Sequence, residues 1–195
     1  MVVEQENQMT NMLIDTDKKV NILSSFAMIF SEITDEVAAE VVEFILTSNF
    51  SPKEDKPEVL NLIICSPGGS LHPTFAIIDV MASSRIPIRT IGLGQIASAG
   101  LMIFLAGEKG QRILTPNTSI MSHRWSSGSD SQKSHELWAL QKEHNLTSDR
   151  MFAHYKKCTG LSDKIIRDKL LPPEDVYLSA QEALKLKICD SVATL

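Results

Sequence analysis

From about residue 27 onward, short apolar runs alternate with amphipathic stretches, and the opening of the chain has neither pattern. Residues 1–25 are polar and weakly patterned, and read as an arm that is mobile or ordered by a partner. Ala27-Met28-Ile29-Phe30 predicts a short buried strand. Thr34 predicts a helix N-cap, with Asp35 and Glu36 in a first turn where the helix dipole favours acids. Val37, Val41, Phe44 and Ile45 supply that helix's apolar stripe. SPKEDKP (51–57) is a surface loop. The run VLNLIIC (59–65) is β-branched and almost continuously apolar, the pattern of a parallel strand covered on both faces. SPGGS (66–70) ends it sharply.

Residues 74–82 predict a helix, 88–93 a second strand, and GQIASAGLMIFLAG (94–107) a further helix. RILTP (112–116) and TSIMSHR (118–124) predict two short strands. The polar, Ser-rich run 126–134 leads into a long helix reaching about Lys157, on which Leu137, Leu140, His144, Met151 and Tyr155 share one face. Gly160 stands just past its end, the usual C′ residue. A short helix near 162–169 follows, and Ser179-Ala-Gln-Glu182 is a capping box opening the last helix. Strand and helix in alternation predict an α/β fold with a largely parallel sheet. With no internal repeat and no interdomain linker, the reading is an arm over 1–25 and one domain over 26–195.

Composition narrows the function. Of 195 residues, 43% are hydrophobic and 22% charged, ordinary for a soluble globular chain. A net charge of −5 lacks the basic face of a nucleic-acid binder. No apolar run reaches a membrane span. The N-terminus carries Glu4 and Glu6 but no early Lys or Arg, unlike a signal or transit peptide, so a cytoplasmic location is the expectation. Cys65, Cys158 and Cys189 form no CxxC pair and are odd in number, which points to free, buried or half-buried thiols.

Three places invite chemistry. The glycine pair of SPGGS can bring backbone N–H groups to one acceptor, or can simply make a tight turn. It is neither a P-loop nor a GxGxxG fingerprint. Ser98 stands before an apolar segment, either as an N-cap or as a nucleophile at the positive end of a buried helix. The small neighbours Ala97, Ala99 and Gly100 would let a peptide approach. A serine needs a base. His123, at the end of an apolar strand, is placed to project from a rigid element into a cleft. His72 is near the glycine pair in sequence. His135, His144 and His154 on the long helix lack the i, i+4 spacing of a helical metal site and read as surface or interface residues. An acid to orient the base would come from Asp168, Glu174, Asp175 or Asp190, among which composition does not choose.

Taken in order, SPGGS, GQIASAG, PNTSIMSH and DVYLSAQEAL…CDSV resemble the ClpP family of serine peptidases, from about residue 27 to the end and most strongly over 62–123. The resemblance implies a ClpP/crotonase-like fold of repeated β-β-α units with a protruding handle, here about 125–158. It implies Ser98 as nucleophile, His123 as general base and Asp175 as orienting acid, since Asp175 stands four residues before Ser179-Ala180 as the family's aspartate does. It implies the backbone N–H groups of Gly69 and Ala99 as oxyanion hole. It further implies stacked seven-membered rings enclosing the active sites, unfolded polypeptide substrates delivered by an AAA+ unfoldase of the ClpX, ClpA or ClpC type, and no metal or cofactor for peptide cleavage.

The chain departs from the family's pattern in three places. LLPPE lengthens the stretch between Asp168 and Asp175, leaving Asp168 as the alternative acid. Arg124, Trp125 and the Ser-rich run replace the Gln-Pro and Gly-rich strand that follow the family's histidine. The opening VVEQ resembles the family's, but the Arg- and Tyr-containing segment of its axial loop is unmatched. Two rival readings follow: a non-catalytic ring subunit, and a crotonase-like acyl-CoA enzyme indifferent to Ser98.

Overall fold

The protein is described here by a computed structural model over residues 25–125 and 134–194. The proposed arm, apart from Ser25, and most of the Ser-rich run lie outside these residues.

Strand β1 (Phe26–Ile29) leads to helix α1 (Asp35–Phe50), then β2 (Leu60–Ser66), α2 (Leu71–Ser83), β3 (Ile88–Ala97) and α3 (Ala99–Leu105). Two short strands follow, β4 (Arg112–Leu114) and β5 (Ser119–Ser122), and then the long helix α4 (Ser134–Thr159). The chain ends with α5 (Asp163–Ile165), a π-turn over Ile166–Leu170, β6 (Val176–Ser179), α6 (Ala180–Lys185) and β7 (Ser191–Val192). The sheet runs β1-β2-β3-β4-β7, with β5 beside β3 and β6 beside β5. All pairings are parallel except β5 with β6.

The sequence pattern accounts for most of this. Thr34 Oγ1 accepts from the Val37 N–H and opens α1, which buries Ala38, Val41, Ile45 and Ser48. In β2, Leu60, Leu62 and Ile64 are fully enclosed, as a central parallel strand requires. Ser179 and Glu182 form the reciprocal capping box of α6. All seven residues of α3 are buried, which fixes this helix in the core between sheet and α4.

Four expectations need correction. The 27–30 strand is not buried on both faces. As the sheet's edge it buries Ile29, while Met28 and Phe30 are 68% and 58% exposed. The stretch 94–107 is not all helix. Gln95–Ala97 are drawn into β3 by pairing with Ser119–Met121, and the chain turns into α3 only at Ser98. Residues 176–179 form a strand the pattern did not announce, with alternation too short to register. His154 is not a surface residue: it is 9% exposed, with Nε2 2.8 Å from the Met102 carbonyl on α3.

The far half of α4 holds the core, through Met151 and the fully buried Tyr155. Leu140 and Leu146 are about as exposed as a surface residue, and Trp138 is 82% exposed. The expected apolar face therefore meets the body only over its C-terminal part. Arg112, buried at the start of β4, ties the end of α4 to the sheet. Its guanidinium grips the Asp190 carboxylate by two bonds of 2.9 and 2.7 Å and donates to the Cys158 carbonyl. Cys65 and Cys158 are half-buried free thiols and Cys189 is a buried one.

Candidate active site

The site is assembled by strand register. In the parallel pairing of β3 with β5, Ala97 lies opposite Met121. One residue beyond the first is Ser98, and two beyond the second is His123. In the antiparallel pairing of β5 with β6, Ser122 lies opposite Val176, so their outer neighbours His123 and Asp175 meet. Three residues far apart in sequence thus arrive at one end of the sheet. The resulting contacts are Ser98 Oγ to His123 Nε2 at 2.6 Å and His123 Nδ1 to Asp175 Oδ1 at 3.7 Å. The first is a short hydrogen bond. The second is an ion-pair distance beyond a direct hydrogen bond.

Ser98 adopts φ 51°, ψ −118°, a backbone conformation that costs a non-glycine residue on the order of 1–3 kcal/mol. Its surroundings hold it there. Its N–H donates to the Met121 carbonyl at 2.9 Å, its carbonyl accepts from Met102 N–H at 3.2 Å, and the helix it opens is wholly buried. The hydroxyl makes no capping bond and turns to His123 instead. A sharp strand-to-helix turn that lifts a serine out of the backbone's own hydrogen bonding is the arrangement a nucleophile needs.

The glycine pair sits against this turn. Gly68 has φ 106°, and a Cβ there would lie 2.7 Å from the Ser98 Cβ. Gly69 has φ 148°, and a Cβ there would lie 2.4 Å from the Ile33 carbonyl oxygen. No other residue fits either place. The pair is stitched down on the far side, with Ile33 N–H donating to the Gly68 carbonyl and Ser70 N–H to the Ile33 carbonyl. Gly68 N–H is spent on Ser66 Oγ. Gly69 N–H has no backbone acceptor among the described residues, and Ala99 N–H is the first of its helix, without an intrahelical partner.

The other candidates go elsewhere. Asp168 is held by Lys164 Nζ at 2.9 Å, one turn away on its own segment. Asp190 belongs to Arg112. Burial would raise the Asp190 carboxyl, but the Arg112 hydrogen bonds and charge, with the Gly110 N–H, hold it below the usual carboxylate range. His72 is largely exposed and faces Glu143 at 3.4 Å. His135 has no described side chain, and His144 stacks at 4.7 Å on Trp125. Among the described residues, no group of three or more His, Cys, Asp or Glu could hold a metal ion.

Sequence reasoning missed the residues that brace His123. Ser122 Oγ donates to the Leu170 carbonyl and meets the Tyr155 hydroxyl at 2.9 Å, while Arg124 Nε donates to the Leu171 carbonyl at 2.7 Å. The available signal was a serine in an apolar strand and a tyrosine on a helix's buried face. A cavity of about 290 Å³ opens beside this brace, bordered by Arg124, Trp125, Met151 and Phe152.

A family model described as Clp protease matches residues 12–195. Among solved structures, the chain is similar to an asparagine-to-aspartate mutant of ClpP1 from Listeria monocytogenes, with a TM-score of 0.78 and 26% sequence identity over 91% of this chain and 95% of that one.

Proposed function

Since this chain belongs to the Clp protease family, a family of serine peptidases, we propose that it is a serine endopeptidase cutting unfolded polypeptides inside a ring-shaped chamber, as the proteolytic subunit of a Clp-type ATP-dependent protease. The observation that carries this reading is the 2.6 Å contact between Ser98 Oγ and His123 Nε2, made from a strained backbone that leaves the hydroxyl no other partner.

The chemistry follows from the geometry. Ser98 Oγ attacks the scissile carbonyl while His123 Nε2 takes its proton. The Gly69 and Ala99 N–H groups receive the oxyanion, where fixed dipoles stabilise charge that develops only in the transition state. His123 then passes the proton to the leaving amine, and water releases the acyl-enzyme by the same route. Asp175 holds the imidazole orientation and stabilises its charged form. No step calls for a metal or cofactor.

Assembly into stacked seven-membered rings that receive substrate from an AAA+ unfoldase is part of this proposal, as is α4 with the preceding run as the handle between rings. In support, one subunit exposes the large apolar side chains of Met28, Phe30, Phe50, Trp138 and Tyr177, which subunit contacts would cover. A cytoplasmic setting remains the expectation; among the described residues no helix is long and apolar enough to cross a membrane.

The deciding experiment is labelling of the assembled protein with a fluorophosphonate. We expect Ser98 to be modified and Ser98→Ala to remain unlabelled. Labelling that survives the substitution, or none in the intact assembly, defeats the reading. One observation favours a second reading, a ring subunit that regulates an active partner: Asp175 is half exposed and 3.7 Å from His123. Peptidase activity of the purified chain alone removes that alternative. The crotonase-like reading gives the Ser98–His123 contact no task.

A further inference from the structure

His123 is a strand-end residue, and strand ends fray. Here the residues on both sides of it are fastened to consecutive carbonyls of one segment: Ser122 Oγ to Leu170 at 2.5 Å and Arg124 Nε to Leu171 at 2.7 Å. That segment is itself fixed, since the Leu171 N–H closes the π-turn on the Ile166 carbonyl at 2.8 Å. Ser122 and Leu170 are fully buried. Behind Ser122 stands the equally buried Tyr155 of α4, its hydroxyl 2.9 Å from Ser122 Oγ.

Proton direction can be assigned along this chain. The Leu170 carbonyl can only accept, so Ser122 spends its one O–H there. Tyr155 must then donate to Ser122 Oγ. Burial pushes the Tyr155 phenol up to about 12, against the opposing effect of the Ser122 hydrogen bond, so it remains a donor at any working pH. Water does not compete for any member of the chain. Phenylalanine in place of Tyr155 would fill the same space without a hydroxyl to satisfy, and the Ser122 hydroxyl is what satisfies the buried Leu170 carbonyl, so the two polar groups form a connected pair rather than simple core filling.

We infer that Tyr155 and Ser122 are positioning residues for His123: the relay Tyr155 O–H to Ser122 O–H to Leu170 carbonyl fixes the end of β5, and through it the height of the imidazole opposite Ser98. Neither side chain touches the reacting atoms. The relay makes α4 a structural support of the base, so displacement of that helix is felt at Nε2. This inference rests on the peptidase reading.

The test uses the full-length assembled protein and four sequences: the parent, Tyr155→Phe, Ser122→Ala and the double variant S122A/Y155F. Three quantities are read: the second-order rate of fluorophosphonate labelling at Ser98, kcat and KM on a short fluorogenic peptide, and Tm. Ser122→Ala strands the buried phenol and the Leu170 carbonyl, so Tm falls. The double variant removes the stranded phenol and regains part of that Tm. If the relay positions His123, labelling and kcat stay about tenfold below the parent in both, far short of the ~10²-fold cost of a 1 Å misplacement. KM stays within about twofold, since only transition-state alignment is lost. Tyr155→Phe keeps the Ser122–Leu170 bond and falls between parent and Ser122→Ala, which preserves the test if Ser122→Ala does not fold.

Rates that recover together with Tm in the double variant would reduce the pair to a structural role. Parent-like kcat in folded Tyr155→Phe and Ser122→Ala would overturn the inference outright. A parent protein that is not labelled at Ser98 fails at the earlier step, and takes the peptidase reading and this inference down together.

Discussion

On one side of His123, two buried strands in parallel register end with Ser98 Oγ 2.6 Å from Nε2. On the other, the antiparallel partner β6 has alternate residues exposed and ends with Asp175 Oδ1 3.7 Å from Nδ1. The Ser98–His123 contact is part-buried and stands on strands anchored in the core. Asp175 is carried on the sheet's margin, directly after LLPPE. The rigid side fixes what must be right within tenths of an ångström. The open side is where assembly or substrate binding has room to tighten the site, and catalytic hydrogen bonds often shorten only in the working complex.

The greatest expected effect lies on the rigid side. Ser98→Ala should lower peptide hydrolysis by ~10⁴-fold or more while leaving Tm and particle size unchanged, and substantial residual turnover would move the chemistry elsewhere. Gly68→Ala comes next. Its methyl group meets the Ser98 Cβ at 2.7 Å from a φ of 106°, so the turn must shift, with ~10²-fold lost in kcat. A Gly68→Ala enzyme with parent kcat would show the turn to be softer than its packing indicates. Asp175→Asn sharpens the comparison: from the open geometry we expect about 10-fold to 10²-fold, against the ~10⁴-fold that neutralising a firmly engaged triad acid can cost. A full ~10⁴-fold loss would mean the acid side closes during turnover.

The smallest effect on activity belongs to Asp190, just ahead of the end strand β7 and paired with Arg112. Its folded-state carboxyl lies below the ordinary value, so its contribution to stability is complete above about pH 4 and is lost as pH falls through the depressed value. Asp190→Asn should therefore flatten the acid limb of the urea midpoint against pH, measured on the catalytically silent Ser98→Ala background. An unchanged acid limb would assign that limb to other carboxylates.

Much of this was legible because it follows from local rules. The apolar run of β2, the Thr34 cap and the capping box at Ser179 declare themselves within a few residues. Ser98 and His123 were recognisable only as a pair, through motifs whose order gave each a meaning that its neighbours did not. The end of β3 was misread as helix because GQIA has no strand pattern of its own. It becomes strand by pairing with β5, a partner distant in sequence. Asp175 could not be separated from Asp168 by composition, because the choice depends on β6, a four-residue strand that owes its existence to β5. The brace on His123 was hidden for the same reason: Ser122, Tyr155 and Leu170 are neighbours only after folding.

Register has a consequence for how such a chain can change in length. The link from β4 to β5 runs over residues 115–118; the Thr115 N–H and Thr118 Oγ1 tie its ends to the Gly92 carbonyl of β3, and Pro116 and Asn117 between them are exposed, so a residue gained between the ties can bulge outward. A residue gained within Ser119–Ser122 has no such outlet. Strand faces alternate with a period of two, and a slip of one would send Ile120 outward and turn His123 away from Ser98. The same arithmetic spares the stretch between Leu171 and Asp175, which joins no strand before Val176 pairs with Ser122. Variation in length is thus filtered by position: loops absorb it, and the four residues of β5 do not.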